Sequence, residues 1–322
     1  MNTRTKPIVI AHRGASGYLP EHTLEAKVLA HAQGADFIEQ DVVLTRDGTP
    51  IILHDIHLAP TTDVALKFPD RAREDGHYYA ADFALDEIRT LCVYERSNPD
   101  GSPVYPTRFP AATGNFRVPT LEEEIDLIAG LDHSTGSSTG LYIELKAPNW
   151  HLKQGLDSAL AILNVLEQKS YAGRIDRVFL QCFDDDTLRR LHQELKTPLP
   201  LIQLIGENDW GEDTGADYDY LQTAKGLAEI SHYASGIGPW ITHIYRGRDA
   251  DDKAVLSELV ESAHANGLLV HPYTLRRDEL PEGISDFQQL MDMLVNHAKV
   301  DGLFTDFPDL AVNYLRSNRE LA

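Results

Sequence analysis

Acidic and basic side chains recur at alternate positions in four short segments, IAHRG (10–14), IEQDV (38–42), ILHD (52–55) and YIELK (142–146). Successive side chains of a strand point to opposite faces, so Glu39 shares a face with Asp41, and Glu144 with Lys146. With His12, Arg13 and His54 they place carboxylates, imidazoles and cations at the ends of apolar runs. Such a set is costly to bury unless a metal or an anion satisfies it. The combination describes a site for a divalent cation and a phosphate.

Glu39, Asp41 and Glu144 offer hard oxygen ligands, which suit magnesium or calcium better than zinc. A single strand carboxylate is usually half of an ordinary ion pair, but three on neighbouring strands favour the metal. His12 and His54 are the candidates for general acid and base, since imidazole holds or releases a proton near neutral pH. They stand out among 14 histidines because His12 adjoins Arg13 and His54 is expected on the Asp41 face. Arg13 and Lys146 would clamp phosphate oxygens, the first by a planar fork and the second as a point charge. Their alternative role is charge balance for the carboxylates. Gln181 in LQCF, and Tyr273 with His271 in VHPYT, lie at later strand ends and are candidates to line the pocket or, equally, to serve packing. Trp150 and Trp240 are further candidate walls. No GxSxG elbow is present, which disfavours serine-hydrolase chemistry.

Those residues need elements to hold them. Asp47-Gly48 in LTRDGTP signals a two-residue hairpin turn. Paired positions would then sum to about 95, which sets His54 opposite Asp41 on one face. One more loop residue would reverse that parity. Strands are expected at 7–11, 37–43, 50–54, 140–145, 177–183, 199–205, 236–240, 268–274 and 301–306. Helices are expected at 22–33, 119–131, 153–170, 184–196, 220–235, 251–266, 284–298 and 307–317. This alternation predicts an α/β fold, a (β/α)8 barrel with one strand as a hairpin extra, and puts the charged residues at the C-terminal strand ends where barrel sites are built. An open doubly wound sheet is the competitor, but HRGASG lacks the GxGxxG spacing. Residues 56–118 do not fit the repeat and are expected to form a small inserted subdomain at the mouth of the site, with a lid or substrate-shaping role favoured over plain surface elaboration.

The chain has 322 residues, a formal net charge of -21 and a pI near 4.9, with 42% hydrophobic and 25% charged residues. Its far field repels nucleic acid and anionic membrane, so neither is an expected partner, and an anionic substrate must be held by a local positive site. Cys92 and Cys182 have no zinc-like spacing, and a disulfide between them is allowed but not implied. No apolar run approaches the ~20 residues of a membrane span, and no stable membrane association is expected. The first strand-like run begins near Pro7, which leaves no room for a secretory leader. The expectation is a cytoplasmic protein, or a mature chain from which a leader has been removed.

AHRGASGYLPEHTLEA, EQDVVLTRDGTPIILHD, YIELKAP, VFLQCFD, VHPYTLR and DGLFTDFPD resemble the glycerophosphodiester phosphodiesterase family, especially its periplasmic bacterial branch, in order from about residue 8 to 315. The resemblance implies a single distorted (β/α)8 TIM-barrel domain with the insertion in the same place. It implies hydrolysis of small glycerophosphodiesters, such as glycerophosphocholine or glycerophosphoethanolamine, to sn-glycerol 3-phosphate and an alcohol. It makes Glu39, Asp41 and Glu144 ligands of one divalent cation, calcium ahead of magnesium. It makes His12 and His54 the acid–base pair, and Arg13 and Lys146 the phosphate contacts. Where many members have PENT this chain has PEHT, and His22 is similar to the periplasmic branch. A periplasmic location follows from the resemblance, with the cytoplasm as alternative, and a homodimer is allowed. Two rival functions are hydrolysis of larger lipid phosphodiesters, disfavoured by the lack of an amphipathic apolar stretch, and a binding module that has lost catalysis, disfavoured by the intact histidines and carboxylates.

Overall fold

The computed structural model describes residues 6–317. Eight parallel strands run around a barrel: β1 (Ile8–Ala11), β2 (Phe37–Leu44), β4 (Gly140–Leu145), β5 (Val178–Cys182), β6 (Leu201–Ile205), β7 (Gly236–Pro239), β10 (Leu269–Val270) and β11 (Gly302–Thr305). The ladder order is β10-β7-β6-β5-β4-β2-β1-β11. Hydrogen bonds from Asp301 N to Val270 O (3.0 Å), Phe304 N to Pro272 O (3.0 Å) and Leu275 N to Phe304 O (2.8 Å) join the two ends. Strand β3 (Pro50–Ile52) is the hairpin extra, antiparallel to β2. The α/β barrel expected from the alternation is therefore the fold.

The hairpin register differs from the expectation. Val42 pairs with Ile52 and Leu44 with Pro50, one residue short of the expected sum. Thr45 N bonds Thr49 O at 3.1 Å, so the loop is Arg46-Asp47-Gly48, with Gly48 at φ +76°. This is a three-residue loop closed by a left-handed glycine. Asp41 consequently faces Leu53, whose N donates to Asp41 O at 3.0 Å. The ladder ends at Ile52, and His54 reaches the site from the irregular chain beyond it, outside the parity rule.

Side-chain alternation sorts the barrel into layers. Ile10, Phe37, Tyr142, Ile202 and Phe304 form a buried cluster inside it. Val9, Ile38, Ile143 and Leu180 belong instead to the large cluster that the surrounding helices share. Above the inner plug come Glu39, Asp41, Glu144 and Gln181, all buried. The hairpin serves two cores: Val42 and Ile52 join the main cluster, while Val43, Ile51 and Leu53 join a second one with Leu58, Phe83, Leu91 and Val93 of the segment between β3 and β4. That segment is built of short helical turns and isolated bridges such as Thr62 with Val93.

Most expected helices are present but shorter. The region expected as one helix at 153–170 is two, Pro148–Lys153 and Ser158–Gln168, and the one at 251–266 starts only at Leu259. Ahead of it lies an unforeseen ribbon of β8 (Tyr245–Arg248) and β9 (Ala254–Leu256), in which only Tyr245 is buried, so that little hydrophobic pattern is left to read. Cys92 and Cys182 are both free thiols. Among the described residues, no helix is long and apolar enough to cross a membrane.

Candidate active site

At the C-terminal mouth of the barrel, one cavity of about 280 Å3 is lined by His12, Arg13, Glu39, Asp41, His54, Glu144, Lys146, Gln181 and Tyr273. All nine candidate residues meet there. The cavity also has walls that sequence reasoning did not name, including Phe183, Trp210, Glu212 and Arg276. Trp240 is a wall as expected. Trp150 is not, because its ring stacks on Tyr79 at 5.2 Å. His271 is buried below the cavity with its Nδ1 2.8 Å from the Tyr142 hydroxyl. The Tyr273 ring faces the cavity while its hydroxyl donates to Ile205 O at 2.8 Å.

The turn after β1 is shaped for close packing. Arg13 lies in the left-handed region at φ 57°, and its N donates to Glu39 Oε2 at 2.6 Å. Gly14 follows at φ +87°, where a Cβ would sit 2.8 Å from the Ala26 carbonyl carbon, so only glycine fits. Thr23 caps the helix Leu24–Ala32 by accepting from Ala26 N. His22, also left-handed at φ 62°, is thereby brought under the site.

His22 Nε2 lies 2.7 Å from Asp41 Oδ2. The ligand atoms of His22, Glu39 and Asp41 lie within 4.8 Å of one another, a group able to hold a metal ion. Across the β2–β4 ladder Asp41 is in register with Glu144. The donor set fits a hard divalent cation, since Asp41 Oδ1 is buried without a hydrogen-bond partner. Burial, reinforced by Asp41, pushes the Glu39 carboxyl well above the usual range. Burial likewise raises Glu144, to about 8, despite Lys146. Burial opposes the Asp41 charge too, but His54, His22 and Lys146 outweigh it and hold that carboxyl low.

Arg13 and Lys146 do serve charge balance. Arg13 Nη1 is 3.1 Å from both oxygens of Glu21, and its Nε is 3.4 Å from Asp41 Oδ2. Lys146 Nζ is 2.7 Å from Glu144 Oε1 and 3.5 Å from His54 Nε2. Burial disfavours the ammonium, yet Glu144, Asp41 and Glu212 hold its pKa above the ordinary lysine value.

The two histidines are held alike. His12 Nδ1 is 2.6 Å from Asp306 Oδ1, and His54 Nδ1 is 2.7 Å from Asp55 Oδ1. A carboxylate on Nδ1 fixes the tautomer and ring plane and leaves Nε2 for proton transfer. Burial first, then the Arg13 charge, lowers both imidazoles to about 4. Sequence reasoning named neither carboxylate as a site residue, although Asp55 adjoins His54 and Asp306 ends the DGLFTD run.

Fold and site define a (β/α)8 barrel with a charged cavity at its C-terminal mouth. Residues 12–310 match the model of the glycerophosphoryl diester phosphodiesterase family. The chain belongs to that family, and its activity is the hydrolysis of glycerophosphodiesters to sn-glycerol 3-phosphate and an alcohol. It is 44% identical to a glycerophosphodiester phosphodiesterase of Haemophilus influenzae, over 98% of this chain and 92% of the relative. The corresponding enzyme of Treponema pallidum is 36% identical, over 96% and 91%. Among solved structures, a Silicibacter pomeroyi protein described as a putative glycerophosphoryl diester phosphodiesterase superposes with a TM-score of 0.70 at 27% identity, covering 98% and 94% of the two chains. An Oleispira antarctica phosphodiesterase, solved with the product sn-glycerol-3-phosphate, shares the fold with a TM-score of 0.63 at 21% identity, over 97% of each chain.

Proposed function

We propose that this enzyme hydrolyses glycerophosphodiesters by acid–base catalysis at His12 and His54, with a divalent cation on the neighbouring carboxylates. The observation that carries the reading is the meeting, in one cavity, of the carboxylate group and two histidines each held by an aspartate behind it. A cation held by Glu39, Asp41 and Glu144, calcium ahead of magnesium, would supply positive charge to the phosphodiester oxygens. Arg13 and Lys146 add their charge to the same oxygens. One imidazole takes the proton of the nucleophile at Nε2, and the other gives a proton to the departing alcohol oxygen. Water or the 2-hydroxyl of the glycerol serves as nucleophile. Gln181 and Tyr273 shape the pocket around the glycerol. The product bound to the Oleispira antarctica relative supports sn-glycerol 3-phosphate as the half retained in the cavity. A periplasmic location is part of this proposal and rests on the sequence resemblance.

The test is glycerol 3-phosphate release from glycerophosphocholine by EDTA-stripped protein, with calcium or magnesium restored. Release that returns with metal supports the reading. Release that is equal before and after stripping removes the cation from it.

A further inference from the structure

Two arginines of the segment between β3 and β4 reach past the surface to the carboxylates that hold the acid–base histidines. Arg96 Nη1 is 2.7 Å from Asp55 Oδ2, and Arg108 Nη2 is 2.7 Å from Asp306 Oδ2. In both cases the arginine takes the oxygen opposite the one that holds the imidazole, since His54 and His12 use Oδ1. The arginines are themselves fixed. Arg96 grips Glu21 through Nε (2.9 Å) and Nη2 (2.7 Å), and Glu21 also pairs with Arg13. Arg108 binds both oxygens of Asp278, at 2.9 and 3.1 Å, and lies 3.6 Å over the Tyr105 ring. Both arginines and both histidines line a second cavity of about 200 Å3 beside the first.

We propose that Arg96 and Arg108 are positioning residues for His54 and His12, so that the segment inserted between β3 and β4 completes the acid–base machinery. Charge compensation alone does not explain the arrangement. The barrel's own Arg276 already pairs with Asp306 at 2.7 Å, yet Arg108 is added from the insertion, with its side chain only 4% exposed. A planar guanidinium that fixes one carboxylate oxygen fixes the plane of the carboxylate, and with it the direction of the imidazole on the other oxygen. Partners one step removed from a reacting group typically alter activity by about 10- to 100-fold.

The inference rests on the acid–base reading of His12 and His54, and the experiment separates the two. Arg96→Gln, Arg96→Lys, Arg108→Gln and Arg108→Lys are compared with His12→Ala, His54→Ala and Arg89→Gln. Arg89 is a control from the same segment that pairs with Glu123 at the surface. Each is assayed, as the metal-loaded full chain, on glycerophosphocholine and on the p-nitrophenyl ester of glycerol 3-phosphate, whose leaving group departs without protonation. The Gln variants are expected to lower kcat about 10- to 100-fold on glycerophosphocholine with KM within about threefold, and the Lys variants to recover part of the loss. On the nitrophenyl ester, the arginine behind the general acid should become dispensable while the other does not. The Lys variants carry the test if a Gln variant does not fold. Folded Gln variants with unchanged kcat, or equal losses on both substrates at both positions, overturn the positioning role. Full activity in both histidine variants overturns the acid–base reading, and the inference with it.

Discussion

His22 Nε2 lies 2.7 Å from Asp41 Oδ2, while Lys27 Nζ approaches the other ring nitrogen at 3.3 Å. A lysine ammonium only donates, so Nδ1 is the acceptor and Nε2–H points at Asp41. Burial, then Lys27, lowers this imidazole to about 3, which keeps it neutral. His22 thus orients a carboxylate of the cation group. His22→Ala should weaken the activating cation by about 10- to 100-fold, with the loss read as a shift in the metal titration of activity. His22→Asn should lose less, because asparagine tolerates the left-handed backbone at this position. An unchanged metal titration in His22→Ala would show that Asp41 needs no such support.

His12→Ala and His54→Ala should each lower kcat by about two to four orders of magnitude on glycerophosphocholine. Both rings lie in a polar, charged cavity rather than the apolar core, so thermal unfolding of the variants should stay close to that of the parent. Retained turnover in both would sink the acid–base assignment.

The candidate residues were legible because strand ends follow simple rules. Glu39, Asp41, Glu144 and Lys146 sit on ladders whose two-residue period fixes their faces. His54 lines the cavity, but not by the expected pairing: Gly48 closes a loop one residue longer than the two-residue turn, so His54 lies beyond the ladder rather than opposite Asp41. What was not legible lies on irregular chain. Arg96 and Arg108 occupy a segment without periodicity, and their partners Asp55 and Asp306 are joined to them only by folding. His12 and Asp306 are 294 residues apart, and although a closed barrel brings the last strand beside the first, the strand pattern does not say which side chains of the two meet. Trp150 showed the opposite failure, since an aromatic after a strand end is equally suited to packing on an insertion.

Gly14 should not accept a side chain. Its φ of +87° disfavours any L residue, and a Cβ would lie 2.8 Å from Ala26 C and 2.9 Å from Ala26 O, which are backbone atoms of the first helix. Overpacking of this kind costs about 1–3 kcal/mol and the left-handed backbone adds about 1–2 kcal/mol. Gly14→Ala should therefore unfold at clearly lower urea, and the surviving folded fraction should have reduced activity because Arg13 is next to it. Gly76, also at positive φ but with nothing within 4 Å of its Cβ position, is the comparison: Gly76→Ala should show only the backbone part.

His271 links stability to acid. Its ring is buried between β7 and β11, edge-on to Tyr142 and Phe179, with the Tyr142 hydroxyl on Nδ1 and Asp301 the nearest charge. Burial lowers its pKa to about 4, and Asp301 offsets only part of that. The unfolded chain binds this proton near the ordinary value of about 6.5, the folded one only near 4. A depressed folded pKa in a histidine means the unfolded state gains the proton first, so stability is complete above about 6.5 and declines as pH falls toward 4. Between pH 7 and pH 5 the loss from this one group is about 2 kcal/mol. Urea unfolding of the parent and of His271→Gln at both pH values isolates it, because every other titrating group is common to the two proteins. The parent should lose about 2 kcal/mol more than the variant on going to pH 5. Equal losses would mean that His271 is protonated in the fold, or that its ring has access to water.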